Sequence, residues 1–351
     1  MENQEKPHKR RVRYSGTHPK RFSEKYKEHQ PEKYADVVEK VIRKGSTPAG
    51  MHISICAKEI LDFLQIQPGQ RGLDATLGYG GHTLEMLKCL KGEGHIYGLD
   101  VDPIESEKTK ERLKKQGFGE DILTVKLLNF RNIDQVAEEA GKFDFVLADL
   151  GVSSMQIDNP ERGFSYKVDG PLDLRMNPQK GISAAQRLKE VTQEELYGML
   201  LENADEPYAE EISKAVIRQR RIRPVETTTD LKQVIEQALS FIPEKERKEA
   251  VKKSCQRSFQ ALRIDVNSEF EVLYDFLEKL PQVLAPNGRA AILTFHSGED
   301  RLVKKSFKQF YKEGIYSDIS KNVIRPSQEE CARNSRARST KMRWAIRAQE
   351  I

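Results

Sequence analysis

The chain has 351 residues, of which 37% are hydrophobic and 32% are charged, and its formal net charge is +5 at pH 7. This length suits one large domain or two ordinary ones, and the composition indicates a soluble protein with a real core. No apolar run approaches the roughly 18 residues of a membrane span, and the basic N-terminus lacks the apolar segment of a secretory signal.

Residues 1–45 are predicted to form a basic, largely disordered arm that contains one short helix. Residues 1–23 hold seven Lys or Arg against two Glu, and few apolar side chains are present to bury. The helix is expected within residues 31–44, before the Gly45–Pro48 run. The arm is either a phosphate-binding segment or a solvated tail.

From Met51 onward, short apolar strands alternate with helices, which predicts βαβ units and a parallel sheet. The first four predicted strands are residues 73–77, 95–100, 121–128 and 143–150. After an interruption the pattern returns with a helix at 269–284, a fifth strand at 289–295, a helix from residue 300 and a last strand at 341–347.

The interruption at residues 158–262 is predicted to be a helical insertion. Residues 158–182 are rich in Gly, Pro and Asp, and five helices follow with no strand between them. Thr192, three residues before Glu195, and the Thr227–Thr229 run before Asp230 are helix start signals. The α/β domain would then comprise residues 46–157 and 263–351.

The segment between the first strand and its helix is a turn that contains Gly78, Gly80 and Gly81. Such a strand, glycine turn and helix can hold a nucleotide-like ligand over backbone N–H groups, although plain connections have the same form. Asp100 ends the second strand, a position at which a carboxylate can accept hydrogen bonds from ribose hydroxyls. The alternative is that Asp100 only caps the helix that follows. Thr83 stands where a dinucleotide fingerprint needs its third glycine, which favours a ligand without phosphates, such as S-adenosylmethionine.

The fourth strand ends at Asp149, and a polar loop through Gln156 follows. Ligands of parallel sheets bind at this edge. Asp149 is therefore a candidate for holding the amino-acid end of the cofactor, near its positive sulfonium.

Several segments of the chain resemble the MraW family, in order and with matching spacing from about His52 to Arg347. They are residues 74–82 (DATLGYGGH), 149–154 (DLGVSS), 162–165 (RGFS), 170–176 (GPLDLRM), 259–264 (FQALRI), 295–297 (FHS), 299–301 (EDR) and 336–339 (RARS). The resemblance implies a Rossmann-like class I methyltransferase sheet with an inserted all-helical domain. It also implies methylation of a cytosine N4 amino group in small-subunit ribosomal RNA, with S-adenosylmethionine as cofactor.

The family's cofactor contacts carry over to Gly80, Gly81, His82, Asp100, Phe130, Asp149 and Gln156. Without the resemblance, Phe130 would be taken for a core aromatic and His82 for a cap or surface histidine. The sequence departs from the family at Tyr79, in the glycine turn, and at Gly298, where Leu is usual. Its basic arm is also longer than in the typical member. A paralogue acting on a different RNA cytidine is therefore an alternative.

Two basic clusters lie outside the cofactor motifs and are predicted to bind RNA. The first includes Arg218, Arg220 and Arg221, and the second includes Arg336 and Arg338. The alternative for each cluster is a solvated helix face. The target cytosine must be single-stranded or flipped for its amino group to be reached.

The proton acceptor for the amino group cannot be identified from a motif, and Ser153 and His296, both at strand ends, are the candidates.

The four scattered cysteines contain no CxxC pair, which argues against a zinc site and a disulfide framework and indicates a reducing cytoplasm. No metal is expected, and the predicted protein is a cytoplasmic monomer or homodimer that acts on ribosomal RNA or the small ribosomal subunit, away from membranes. The competing functions are an assembly factor with a vestigial cofactor pocket and, less favoured because of Thr83, an NAD-dependent oxidoreductase.

Overall fold

Seven strands form one sheet in the order β3-β2-β1-β4-β5-β7-β6 in the computed structural model, which describes residues 54–349. Strands β1 to β5 are parallel to one another, β7 is antiparallel to β5, and β6 is antiparallel to β7. The strands are β1 (Arg71–Asp74), β2 (His95–Asp100), β3 (Leu123–Leu127), β4 (Phe143–Asp149), β5 (Leu284–Thr294), β6 (Tyr316–Ile319) and β7 (Lys341–Arg347).

The predicted α/β class with a parallel sheet is confirmed, and the differences lie at strand ends. β1 ends at Asp74 rather than residue 77, because the chain turns into the glycine segment, where Gly78 has a φ of +47°. β5 begins earlier than expected, and its register with β4 shifts between Phe143 and Phe145. Strand β6 was not predicted, because it is a four-residue edge strand with only its two end residues buried.

Helices cover both faces of the sheet, and each face buries its own apolar cluster. The helices outside the inserted region are α1 (Ala57–Leu64), α2 (Gly81–Leu90), α3 (Pro103–Lys115), α4 (Ile133–Ala140), α5 (Ser154–Asp158), α11 (Glu269–Val283), α12 (Ser297–Lys312) and α13 (Gln328–Arg333). One cluster includes residues of α1, α2 and α3, and the other includes residues of α4, α11 and α12.

A third apolar cluster is built from residues of the inserted helices and the loop before them. These helices are α6 (Ala184–Glu190), α7 (Gln193–Ala204), α8 (Ala209–Ile222), α9 (Thr228–Ala238) and α10 (Glu244–Asn267). The two predicted start signals are confirmed, because Thr192 with Glu195 and Thr227 with Asp230 form reciprocal capping boxes. The domain boundaries at residues 158 and 262 stay a prediction, and α10 itself runs past the second one to Asn267.

The predicted basic arm at residues 1–45 lies outside the described residues. Between residues 54 and 349, no helix has the length and apolarity needed to cross a bilayer.

Candidate functional site

The glycine turn between β1 and α2 is tied to the neighbouring strand and helix. The Gly78 N–H donates to Asp100 Oδ2 at 2.9 Å, and Thr109 of α3 donates its hydroxyl to the Gly78 carbonyl at 2.6 Å. Gly80 has a φ of +78°, and a Cβ added there would lie 2.7 Å from Thr109 Cγ2. Glycine is therefore required at position 80, directly before α2 begins at Gly81.

Tyr79, the unexpected residue of this turn, packs against α3. The Arg112 guanidinium lies over the Tyr79 ring, 3.4 Å from its centroid, and Arg112 Nη2 donates to the Tyr79 carbonyl at 2.8 Å. A cation stacked on an aromatic face adds attraction to the hydrogen bond. Tyr79 thus joins the glycine turn to the helix that follows β2.

Asp100 lies at the end of β2 and supports the glycine turn rather than capping α3. Its second oxygen, Oδ1, accepts the Asp102 N–H at 2.8 Å. Asp102 is the residue that caps α3, because its Oδ1 accepts the N–H groups of Ile104 and Glu105. Burial raises the pKa of Asp100 to about 6, against the lowering effect of its backbone hydrogen bonds. At pH 7 it is an ionised, largely desolvated acceptor.

His82 and Asp149 form the second polar pair at this edge. His82 Nε2 lies 3.3 Å from Asp149 Oδ2, and the Asp149 N–H donates to Thr76 Oγ1 at 2.6 Å. Burial alone lowers the pKa of His82, but the Asp149 and Asp74 carboxylates outweigh it, and the net direction is up. Among the described residues, Asp149 Oδ1 and His82 Nε2 are buried without an aligned hydrogen bond. Both atoms therefore retain hydrogen-bonding capacity.

Asp74, the last residue of β1, holds the first turn of α2 in place. It is 1% exposed, and its carboxylate accepts the Thr83 hydroxyl at 2.6 Å and the Thr76 N–H at 3.1 Å. Burial raises the pKa of Asp74, and the Thr83 hydrogen bond acts in the opposite direction. Thr83, which stands in place of a third glycine, is thus a structural partner of β1.

Gln156 and Ser153 are both engaged in holding the loop after β4. They form a capping box at the start of α5, in which Ser153 Oγ accepts the Gln156 N–H and Gln156 Oε1 accepts the Ser153 N–H. Gln156 Nε2 also donates to Asp102 Oδ2 at 3.2 Å. Arg162 donates to the same oxygen at 2.7 Å, and its other nitrogen donates to the carbonyls of Arg175 and Met176. A buried ion pair thus connects β2, α5 and the loop beyond.

Phe130 follows β3 and packs against the core. Its ring meets Phe276 of α11 edge to face, with 5.2 Å between centroids, and it borders one of the two apolar clusters of the sheet. Contact with an adenine ring stays a prediction for this side chain.

His296 follows β5 at the start of α12 and faces a buried carboxylate. Its Nε2 lies 3.2 Å from Glu299 Oε1, and Glu299 Oε2 accepts the Phe295 N–H at 2.9 Å. Burial alone would raise the pKa of Glu299, but His296 and Arg263 reverse this and lower it. Arg263 itself binds Glu269 through two hydrogen bonds of 2.7 and 2.8 Å. His296 is thus a ring held beside an ionised acid.

The predicted RNA-binding arginines fall into two groups according to their contacts. Arg218, Arg221 and Arg338 are exposed. Arg220 instead donates to the carbonyls of Leu188 and Val191 at the end of α6, and Arg336 pairs with Asp158 at 2.9 Å. Arg220 and Arg336 therefore have structural partners that the charge pattern did not reveal.

Comparison with known proteins identifies the family. The model of the MraW methylase family matches residues 49–348. The chain belongs to the MraW methylase family. The protein named ribosomal RNA small subunit methyltransferase H 1 from Lachnoclostridium phytofermentans is 73% identical over 99% of this chain and 95% of its own length. Its namesake from Agathobacter rectalis is 69% identical over 99% of this chain and its full length.

More distant matches cover a smaller share of the chain. Ribosomal RNA small subunit methyltransferase H from Koribacter versatilis is 39% identical over 84% of this chain and 94% of its own length. The crystal structure of an rRNA methylase from Streptococcus thermophilus aligns with 85% of this chain at 12% identity and a TM-score of 0.39. The MraW family model begins at residue 49, so the basic arm lies outside it.

As an MraW methylase, the protein uses S-adenosylmethionine, and the residues at this edge fit that cofactor. Asp149 Oδ1, a buried acceptor without a partner among residues 54–349, suits a cationic amino-acid end. Asp100, ionised above a pKa of about 6, suits a ribose diol. Gly80, which admits no side chain, keeps the turn free of Cβ bulk. The assignment of each contact remains a proposal.

The structure brings most of the predicted cofactor residues of this MraW methylase to one edge. Gly80, Gly81, His82, Asp100 and Asp149 lie at the ends of the adjacent strands β2, β1 and β4. The residues that hold them in place were not predicted from the sequence; they are Asp74, Thr76, Thr83, Asp102 and Arg162. Asp102 lies just beyond the second predicted strand and Arg162 lies in the irregular segment at residues 158–182, but a single sequence does not reveal that they pair across 60 positions.

Proposed function

We propose that this protein transfers a methyl group from S-adenosylmethionine to the N4 amino group of a cytidine in small-subunit ribosomal RNA. The RNA substrate is proposed because the chain is 73% and 69% identical, over almost its whole length, to two relatives named ribosomal RNA small subunit methyltransferase H 1. The choice of the cytosine N4 atom rests on the family resemblance of the motifs around Asp149 and His296.

The cofactor would be held by its two polar ends. Asp100 would accept the ribose hydroxyls, because its carboxylate is fixed by the N–H groups of Gly78 and Asp102. Asp149 and His82 would hold the amino-acid end, where Asp149 keeps an unused oxygen within the described chain. The bound cofactor supplies an electrophilic methyl group on a sulfonium.

The substrate amino group is a poor nucleophile because its lone pair is conjugated with the ring. Positioning of the base and an acceptor for the N4 proton would therefore supply most of the rate enhancement. Between the two candidates, the contacts favour His296. Ser153 Oγ is engaged as a helix cap, whereas the His296 ring lies 3.2 Å from the Glu299 carboxylate and its two nitrogens have no aligned hydrogen bond among the described residues.

The RNA would be bound by cations that have no partner within the protein. Arg218 and Arg221 on α8 and Arg338 after α13 are exposed and have no ion pair or hydrogen bond among residues 54–349. Such guanidinium groups are available to phosphates. Arg220 and Arg336 would contribute less, because each is already bound to the protein.

The deciding experiment maps modified cytidines in ribosomal RNA by mass spectrometry, with and without this gene. One N4-methylated cytidine should disappear from the small-subunit RNA and return with the wild-type protein. A methyl-transfer assay with purified small subunits should give the same result in vitro. Transfer to no subunit RNA at any assembly stage would instead indicate an assembly factor, and transfer to another RNA would indicate a paralogue.

The basic arm would add affinity for RNA without touching the cofactor site. Deleting residues 1–45 should weaken RNA binding and flatten its salt dependence, because each lost phosphate contact lowers the salt slope by about 0.7 to 0.9. A second variant keeps the arm but replaces the seven Lys and Arg of residues 1–23 by Gln. It should reproduce the loss if the charges of the arm are the cause. Calorimetry should show an unchanged cofactor affinity. An unchanged salt slope would make the arm a passive tail.

A further inference from the structure

A cavity of about 310 Å³ lies between the end of α7, the start of α11 and the start of α12. This volume is at the lower end of the range of small-ligand sites. Its apolar wall includes Phe270, which contacts the His296 ring, and Tyr274, which is 57% exposed. Gly298 also lines the cavity, and a Cβ there would lie 2.6 Å from Phe270 Cζ. The absence of a side chain at Gly298 therefore helps to keep this space open.

Three acidic residues surround the aromatic wall of this cavity. Glu202 and Asp205 belong to the end of α7, and Glu271 belongs to the first turn of α11. All three are exposed, and none has an ion pair or side-chain hydrogen bond within the described part of the chain. Many other exposed carboxylates pair with Lys or Arg, as Glu210 does with Lys214.

The positive charge around the cavity is smaller than the negative charge. Arg301 is the one basic residue of its lining, so the acids outnumber it three to one. The carbonyl end of α7 adds negative partial charge beside Glu202. The N-terminus of α12 opposes this, because the carboxylates in its first turn, Glu299 and Asp300, are already paired with His296, Lys341 and Arg343. A phosphate group inside this cavity would be repelled, whereas a cation would be attracted.

We propose that this cavity, between α7, α11 and α12, binds an arginine or lysine side chain on a basic segment of a partner protein. The aromatic faces of Phe270 and Tyr274 would take the cation or its aliphatic stem, and Glu202, Asp205 and Glu271 would supply the countercharge. This inference is independent of the methylated nucleotide, since it concerns a protein contact rather than the RNA.

The test measures binding of fluorescein-labelled hexa-arginine to the full chain by fluorescence anisotropy at physiological salt. The triple variant Glu202→Gln, Asp205→Asn, Glu271→Gln should bind about tenfold more weakly, since each exposed charge contact contributes modestly. The matched control neutralises three exposed acids elsewhere, Glu107→Gln, Glu111→Gln, Glu138→Gln, and should leave the affinity almost unchanged. If both triple variants lose the same affinity for hexa-arginine, the effect comes from net charge alone and the proposal is wrong.

Two further variants separate a cation site from a nucleotide site. Tyr274→Ala removes an exposed ring without disturbing the core and should also weaken hexa-arginine binding severalfold. Arg301→Gln should strengthen it, because a like charge is removed. If Arg301→Gln instead weakens binding of cytidine monophosphate and leaves hexa-arginine unaffected, the cavity is a nucleotide site and the proposal is wrong. Circular dichroism and thermal unfolding establish that each variant is folded.

Discussion

The loop after β4 and the junction around Asp102 differ in how fully their polar atoms are used inside the protein. At the junction, Asp102 accepts hydrogen bonds from Arg162, Gln156 and the first turn of α3. At the loop, Asp149 leaves a buried oxygen without a partner among the described residues. A saturated carboxylate holds the fold together, whereas one with an unused acceptor is available to a ligand.

This difference separates residues that a family motif groups together. Gln156 and Asp149 both carry over as cofactor contacts, yet the Gln156 side chain is engaged at both its oxygen and its nitrogen. We therefore expect substitutions at the junction to lower stability and substitutions at the loop to lower cofactor affinity.

The largest effect is expected on the free energy of unfolding, when the junction around Asp102 loses the Arg162 guanidinium. Arg162→Met would leave the Asp102 carboxylate, which is fully buried, without its ionic partner. Removing one member of a buried pair costs about 3–5 kcal/mol, and the free energy of unfolding in urea should fall by that amount. Lys214→Met, which breaks an exposed pair, is the control and should cost no more than about 0.5 kcal/mol.

A second variant tests whether the unpaired charge is the cause of that loss. Adding Asp102→Asn to Arg162→Met keeps an oxygen to cap α3 and removes the buried charge, so part of the stability should return. If Arg162→Met costs no more than Lys214→Met, the junction is not the structural connection inferred here.

The next effect concerns cofactor affinity at the loop. Asp149→Asn should weaken S-adenosylmethionine binding about 10- to 100-fold, the equivalent of one hydrogen bond to a charged group, with little change in unfolding free energy. Asp144→Asn is the matched control, since Asp144 lies on the same strand but binds the Arg71 N–H at the opposite edge. Calorimetry measures both. Asp100→Ala and Asp149→Ala should abolish binding, and unchanged affinity in both would contradict the site assignment.

The sequence predicted the positions at this edge better than their roles. Periodicity and glycine placement identified β2, β4 and the turn at Gly80, because these are local properties of the chain. Asp100 and Asp149 followed from their places at strand ends. The ion pair of Arg162 with Asp102 depends on two loops meeting in space, and no local pattern contains that information. The short edge strand β6 was missed for a similar reason, since its partner β7 defines it.

A smaller effect is expected from the protonation of Asp100. Its pKa in the folded protein, about 6, exceeds the unfolded value of about 3.9. Its contribution to stability is therefore greatest below pH 4 and is lost as the pH rises to about 6. The proposed ribose contact needs the ionised form of Asp100, so cofactor affinity should change in the opposite direction and be about tenfold lower at pH 5 than at pH 7.

Asp100→Asn is the variant that tests this assignment. It should bind the cofactor more weakly at pH 7, and its affinity should vary less between pH 5 and pH 7 than that of the wild type. His82 remains titratable in both proteins, so any dependence common to the two belongs to His82 and its neighbours. Identical pH profiles would show that Asp100 is not the titrating group.

The smallest effect applies the same distinction to two adjacent arginines on α8. Arg221 is exposed without a partner in the described chain, so Arg221→Met should change unfolding free energy by no more than about 0.5 kcal/mol. It should weaken RNA binding severalfold and lower the salt slope by about 0.7 to 0.9. Arg220→Met removes hydrogen bonds to Leu188 and Val191 and should instead cost about 1.5 kcal/mol of stability, with a smaller effect on RNA. Equal RNA effects from the two variants would mean that internal hydrogen bonds do not determine which cations of this helix contact RNA.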